Sequence, residues 1–274
     1  MGVRMLGRFL SFVVVSLLAL AGTAHAQGKA ELQWFSQAGF KLTTPGGKVI
    51  MIDPWIKGAT KLPQEFKDLS KLGKVDLILV THGHGDHLGD AMELSKTNDV
   101  PMWAPAGLNQ TLLTLGLMPA KLVPRMSKGG TIEPFPGVKI TMVRAEHSSE
   151  MILKDPATGK DTSYAAGEPA GWIIQLENGF KIYHMGDTGL FGDMKFIGEY
   201  YKPDLALVPI GGHYVLDPKD AAYAMKELVK PKMAMPMHYA SNPFLKGTPA
   251  EFKAALGQTS IQVIDMNPGD KKQF

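Results

Sequence analysis

The chain has 274 residues, no cysteine and a net charge of +3. That length is enough for a large packed core without staples, and the absence of thiols excludes disulfides, thiolate metal sites and a lipid-anchored cysteine. The near-balanced charge comes with no basic stripe interleaved with aromatics, so nucleic acid is not an expected partner.

The chain opens on a positive start, Arg4 and Arg8, followed by the uncharged apolar run Phe9 to Ala21 and the small-x-small triplet Ala24-His25-Ala26. This order predicts a secretory signal peptide over residues 1–26, cleaved before Gln27. Its apolar run is short for a span of about 20 residues, so no stable membrane insertion is expected after cleavage. The remaining residues, 27–274, are expected to form a single domain in the periplasm or outside the cell.

Leu32 to Ser36 and Phe40 to Thr44 read as strands, Pro45-Gly46-Gly47 as a turn, and Lys48 to Ile52 as the next strand, ended by Asp53-Pro54. Gln64 to Leu72 has a helical pattern. Val75 to Val80 is a nearly continuous apolar strand that runs into Thr81 and a histidine-rich loop. Asp90 is placed to cap a helix through Ser95. Val100 to Ala104 reads as a strand, Leu108 to Leu115 as a helix, and Thr131 to Ile132 and Val138 to Ala145 as strands around the turn 134–137.

Ser148 to Ala170 is a long polar stretch with no clear period, predicted as a loop that forms a lid or pocket wall. Trp172 to Leu176 and Lys181 to His184 form a hairpin across Glu177-Asn178-Gly179. Phe191 to Tyr201 is helical, Leu205 to Pro209 a buried strand, and Pro218 to Val229 a helix with proline in its first turn. Met233 to His238 is a strand whose alternating methionines read as core filling rather than a copper site. Pro249 to Leu256 is a helix and Ile261 to Ile264 a last strand. Strands leading and helices following predict an α/β fold of two sheets in contact, with helices outside.

After residue 27 the histidines are 82, 84, 87, 147, 184, 213 and 238. Those outside the 82–87 run sit at or just beyond predicted strand ends, where loops present side chains from a rigid scaffold. In extended backbone His82 and His84 point the same way and can reach one ion. Gly83 and Gly85 are expected to let the chain turn so that Asp86 and His87 diverge toward a second ion. Imidazole plus carboxylate without thiolate suits zinc, and also manganese, iron or nickel.

The run Thr81-His82-Gly83-His84-Gly85-Asp86-His87-Leu88-Gly89-Asp90 resembles the signature of the metallo-β-lactamase superfamily. It is similar in particular to a branch of small metal-dependent hydrolases that includes the ascorbate-phosphate lactonases. Ile52-Asp53-Pro54, Glu146-His147-Ser148-Ser149, Tyr183-His184-Met185-Gly186-Asp187-Thr188, Pro209-Ile210-Gly211-Gly212-His213 and Pro236-Met237-His238-Tyr239 match that branch in order and spacing. The resemblance implies an αββα sandwich with two divalent metal ions at one edge. It places His82, His84 and His147 on one ion, Asp86, His87 and His238 on the other, and Asp187 between them.

The implied chemistry is hydrolysis of a small-molecule substrate by a metal-bound hydroxide, oriented by Asp86 or Asp187. An ester or lactone is the first substrate class. A phosphodiester or phospholipid is the alternative, and a non-catalytic exported metal- or ligand-binding protein is a further one. His213 reads either as a hydrogen-bond donor or general acid in the substrate pocket or as a satisfied loop histidine. Asp53 is expected to accept a ligand imidazole N–H, and His184, pointing away from the Asp187 face, to support a ligand from behind. The residues carry no signal for oligomeric state, native metal or substrate identity.

Overall fold

The computed structural model describes residues 28–155 and 157–274, together with Gly2. The predicted signal peptide, Gly2 apart, lies outside the described residues. Among the described residues no helix is long and apolar enough to cross a membrane.

The first sheet takes β1 (Glu31–Trp34), β2 (Phe40–Thr43), β3 (Val49–Ile52), β4 (Leu77–Leu79), β5 (Met102–Pro105) and β6 (Arg125–Met126), in that spatial order. Its first strands are antiparallel and its later ones parallel. The second sheet takes β7 (Thr131–Phe135) and β8 (Val138–Arg144). The chain then forms a separate hairpin, β9 (Glu150–Lys154) and β10 (Asp161–Ala165). It re-enters the second sheet with β11 (Ala170–Gln175), β12 (Lys181–His184), β13 (Leu205–Pro209), β14 (Met233–Met237) and β15 (Gln262–Val263). Finally β16 (Lys271–Gln273) returns to pair antiparallel with β1.

Period-two alternation decides which residues lie between the sheets. Ile50 and Ile52 of β3, Leu77 and Leu79 of β4, and Leu205 and Leu207 of β13 face inward onto Trp34, Phe40, Trp172, Met235 and Met237. Their neighbours Met51, Ile78 and Val80 face outward, under helices carrying Leu88, Leu94, Leu108 and Leu112. Ala206 and Val208 do the same on the other side, under Met194, Ile197, Met225 and Phe252. Strands covered on both faces read as continuous apolar runs, which is why Leu205 to Pro209 carries no polar residue. Each fully buried Leu or Ile stabilises by about 1.5–3 kcal/mol. The result is the expected αββα sandwich.

Several local expectations are corrected. Gln64 to Leu72 is not one helix but two 3-10 turns, Gln64–Phe66 and Leu69–Leu72. Asp68 breaks it, because its carboxylate accepts the Ser70 N–H at 3.0 Å and the Ser70 hydroxyl at 2.6 Å. Pro218 to Val229 starts as an α-helix (Pro218–Tyr223) but widens into a π-helix over Ala224–Val229. Gly198, in the helix Met194–Tyr201, lies against the Val229 backbone there, with no room for a side chain.

The stretch 148–170 is not a bare loop. Met151 and Ala166 anchor its hairpin in the outer core above the first sheet, while Ile152 points to solvent. Met235 and Met237 fill the core between the sheets, with Met233 packed at its margin.

Candidate metal centre

The histidine-rich loop leaves the end of β4 and closes a single helical turn, α1 (Gly85–Leu88). Neither glycine of this loop adopts a left-handed conformation. Gly83 is required for a different reason: a Cβ there would lie 2.3 Å from the Ala166 Cβ, beneath the hairpin. Gly85 has open space around it.

Three groups of donor atoms converge at this sheet edge: His82, His84 and His147; His82, His87 and Asp187; and Asp86, His87 and His238. In the first, His84 Nδ1 stands 2.9 Å from His82 Nε2 and 3.3 Å from His147 Nε2. In the third, the Nε2 atoms of His87 and His238 are 3.3 Å apart, and Asp86 Oδ2 is 3.4 Å from His238 Nε2. Asp187 spans both. Its Oδ1 is 3.2 Å from His87 Nε2, and its Oδ2 is 3.1 Å from His238 Nε2 and 3.6 Å from His147 Nε2. The structure thus brings together all seven residues predicted as ligands.

Buried supports hold these imidazoles. Asp53, fully buried at the end of β3 with φ +43, faces His87 Nδ1 at 2.7 Å. The same carboxylate accepts from the Thr81 amide at 2.7 Å and the Thr81 hydroxyl at 2.6 Å. It therefore holds the proton on His87 Nδ1 and leaves Nε2 free to bind a cation. Asp90 sits before α2 (Ala91–Asn98) but does not cap it with its side chain. Its Oδ2 instead accepts from the Ile56 and Lys57 amides at 2.7 and 2.9 Å, tying the segment after Asp53 to the ligand loop.

His184 faces away from the ligands, as the strand alternation requires. It donates from Nε2 to the Ala38 carbonyl at 2.8 Å and accepts from the Gly186 amide at 3.2 Å, shaping the turn that presents Asp187. His213 is not in the cluster. It is exposed, with φ +62, stacked on Phe244 at 4.9 Å and edge-on to Tyr214 at 4.4 Å. It is Tyr214 that reaches the cleft wall.

Three supporting residues escaped the sequence reading. Thr81 links Asp53 to the ligand loop. Glu150, on the hairpin, holds His84 Nε2 at 3.2 Å, leaving Nδ1 to face its partners. Gln37, in the β1–β2 loop, donates to Asp86 Oδ2 at 2.9 Å. Only Glu150 carried a local signal, a carboxylate three residues beyond His147.

The electrostatics fit a cation. Burial alone disfavours charge on His87 and His238, but Asp187 with Asp53 and Asp86 outweighs it at His87, and Asp187 with Asp86 does so at His238. His87 is held well above its ordinary value and His238 is raised to about 9. Burial, then the charge on His87, pushes His82 well below its ordinary value. Asp187 would be raised by burial, yet His238 and His87 hold it well below the carboxylate range. Among the described residues, buried His238 Nδ1 has no hydrogen-bond partner, and buried Asp187 Oδ1 makes no well-aligned hydrogen bond although His87 Nε2 lies 3.2 Å away. Nitrogen and carboxylate donors converging at this spacing, one carboxylate oxygen without a well-aligned hydrogen bond, suit divalent ions of the zinc type.

An imidazole binds a cation only through an unprotonated nitrogen, so protons compete with metal here. Apparent metal affinity is expected to rise with pH up to about 9, the value to which His238 is raised, and to level off above it. Chelator competition across that range checks it, and a flat profile would count against this proton inventory.

The cleft over the cluster has a volume of about 360 Å³ and is lined by His84, Asp86, His147, Ser148, Glu150, Asp187, Tyr214, His238 and Asn242. The stretch after His147 therefore serves as a pocket wall, through Ser148 and Glu150.

The chain is similar to known proteins of one family. The family described as the beta-lactamase superfamily domain matches residues 48–239. A UPF0173 metal-dependent hydrolase from Polaromonas sp. is 55% identical over 99% of both chains. Another from Polynucleobacter asymbioticus is 58% identical over 93% of this chain and 90% of its own. The solved structure of Igni18, a metallo hydrolase from the archaeon Ignicoccus hospitalis, is 34% identical with a TM-score of 0.75, covering 90% of this chain and 98% of that one. With the αββα sandwich, the ligand cluster at its edge and these relatives together, the chain belongs to the metallo-β-lactamase superfamily and is one of its metal-dependent hydrolases.

Proposed function

We propose that the protein hydrolyses an uncharged ester or lactone at a two-ion centre, and does so outside the cytoplasm. The observation that carries the substrate class is the cleft lining, which contains no lysine or arginine. Recognition of a phosphodiester favours guanidinium or ammonium groups that pair with its oxygens. Lys154, on the hairpin, is instead exposed and paired with Asp161 at 2.9 Å. Export rests on the apolar run Phe9 to Ala21 and the Ala24-His25-Ala26 triplet. Protein recovered from the periplasm should begin at Gln27.

His82, His84 and His147 would hold one ion, Asp86, His87 and His238 the other, with Asp187 reaching both. The ions, zinc or a comparable divalent metal, supply Lewis acidity and lower the pKa of water when bound. Asp53 and Glu150 keep the ligand tautomers in place. Ser148, Tyr214 and Asn242 offer neutral hydrogen-bond donors along the cleft wall to orient the scissile group. Tyr214 continues outward into an aromatic cluster with His213 and Phe244, suited to an apolar substituent next to the scissile bond.

The test is metal content after purification without added metal, with turnover on an ester, lactone and phosphodiester panel before and after chelation. Two equivalents and chelator-sensitive ester or lactone turnover are expected. Preference for phosphodiesters would overturn the substrate class. Less than one equivalent after reconstitution, with no turnover, would leave a binding protein on a hydrolase fold. Tyr214→Ala should raise KM for apolar esters about tenfold, roughly 1.4 kcal/mol. An unaltered KM would remove the aromatic wall from recognition.

A further inference from the structure

Gln37 is a buried amide whose end lies among the donor atoms of the Asp86–His87–His238 group. Its Nε2 is 2.9 Å from Asp86 Oδ2 and 3.3 Å from His238 Nε2. Its Oε1 is buried and has no hydrogen-bond partner among the described residues. We propose that Gln37 is an additional ligand of the ion at this group, presenting Oε1 after its amide rotates. This rests on the two-ion reading above.

The loop that carries Gln37 is fixed for such a task. Ser36 and Gln37 both adopt positive φ, +81 and +47, unusual for residues with a side chain. The Gln37 carbonyl accepts from the Trp34 indole at 3.0 Å and from the His238 amide at 3.2 Å. The adjacent Ala38 carbonyl accepts from His184, which also shapes the turn before Asp187. The strained loop is thus tied directly to the segments that carry His238 and Asp187.

The two ends of an amide have nearly the same shape, so charge decides which one faces the cluster. Without a cation, N–H toward the Asp86 carboxylate is favoured. With a dication on the Asp86 and His238 donor atoms, the same N–H would face positive charge, and the carbonyl oxygen becomes the favourable end. Amide oxygen is a hard donor, better matched to manganese than to zinc.

The test is competitive chelator titration of the full-length mature protein with Mn(II) and, separately, Zn(II). Gln37→Leu is expected to weaken one of the two equivalents about tenfold or more, with a larger loss for Mn(II), and to leave the other unchanged. Gln37→Glu keeps an oxygen at the same reach and should bind that equivalent at least as tightly as the wild type. Thermal unfolding of the metal-free variants controls for loss of fold, with Gln37→Glu as the soluble comparison. Wild-type affinity in Gln37→Leu would overturn the proposal. So would equal weakening in both variants, because that would make the N–H the operative group. Wild-type protein that binds a single equivalent under all conditions would instead remove the two-ion reading itself, and the proposal with it.

Discussion

Asp187→Ala is expected to lower turnover on the order of a thousandfold, about 4 kcal/mol of barrier, and to lose at least one equivalent of metal. Asp187 is nearly fully buried, and its two oxygens face His87, His147 and His238. Among the described residues no other carboxylate is placed to reach both halves of the cluster: Asp86 serves only the Asp86–His87–His238 group, and Asp53 lies behind His87. Without Asp187, dications brought close together lose the negative charge between them and repel more strongly. Asp187→Asn keeps the shape and removes the charge, so it should fail in the same way. Metal analysis beside steady-state kinetics decides the matter. A full metal complement with unaltered kcat in either variant would show that Asp187 is structural.

Removing the support behind the ligands should be nearly as damaging, and for a different reason. Asp53→Ala removes the carboxylate that accepts from three buried donors, the Thr81 amide, the Thr81 hydroxyl and the His87 Nδ1–H. The expected cost is about 3–5 kcal/mol of stability, typical of breaking a buried charged network. Metal affinity should fall about 10–100-fold because His87 is no longer held in one tautomer.

Asp53→Asn separates the two effects. Asparagine tolerates the positive φ of this position and still offers one acceptor oxygen to Thr81. Its amide N–H, turned toward His87 Nδ1, would push the imidazole proton to Nε2, where metal must bind. It should therefore be less destabilised than Asp53→Ala without metal, yet bind metal as weakly as that variant. Thermal unfolding and chelator competition measure the two quantities. Wild-type metal affinity in Asp53→Asn would contradict the tautomer argument.

The residues that bind and those that support them were not equally visible in the sequence. The candidate ligands of the histidine-rich run were legible because metal chemistry demands particular side chains at short spacing, and strand ends advertise themselves. His82, His84, Asp86 and His87 follow directly on the apolar strand that ends in Leu79-Val80. Resemblance to a known family then supplied the division of ligands, which spacing did not. Asp53, at a strand end, and His184, on the face away from Asp187, read from the sequence as supports for the ligands. The hairpin at 148–170 was missed because its alternation, Met151 and Leu153 against Ile152, lies among glycine, proline and lysine that mark loops.

By itself, then, the sequence determined the layers, most strands and the histidine-rich run at a strand end, because apolar periodicity and donor chemistry are local properties, while the full set of seven candidate ligands came from the family resemblance. Tertiary structure alone decided which atom supports which. Gln37 and His238 meet across 201 residues, Asp53 and His87 across 34, and no local pattern encodes either meeting. It also decided that Gly83 is there for the closeness of Ala166 rather than for a turn. It placed Tyr214, not His213, at the cleft wall. These outcomes depend on how strand register and sheet packing set the loops of one edge against each other, and that is a property of the whole chain.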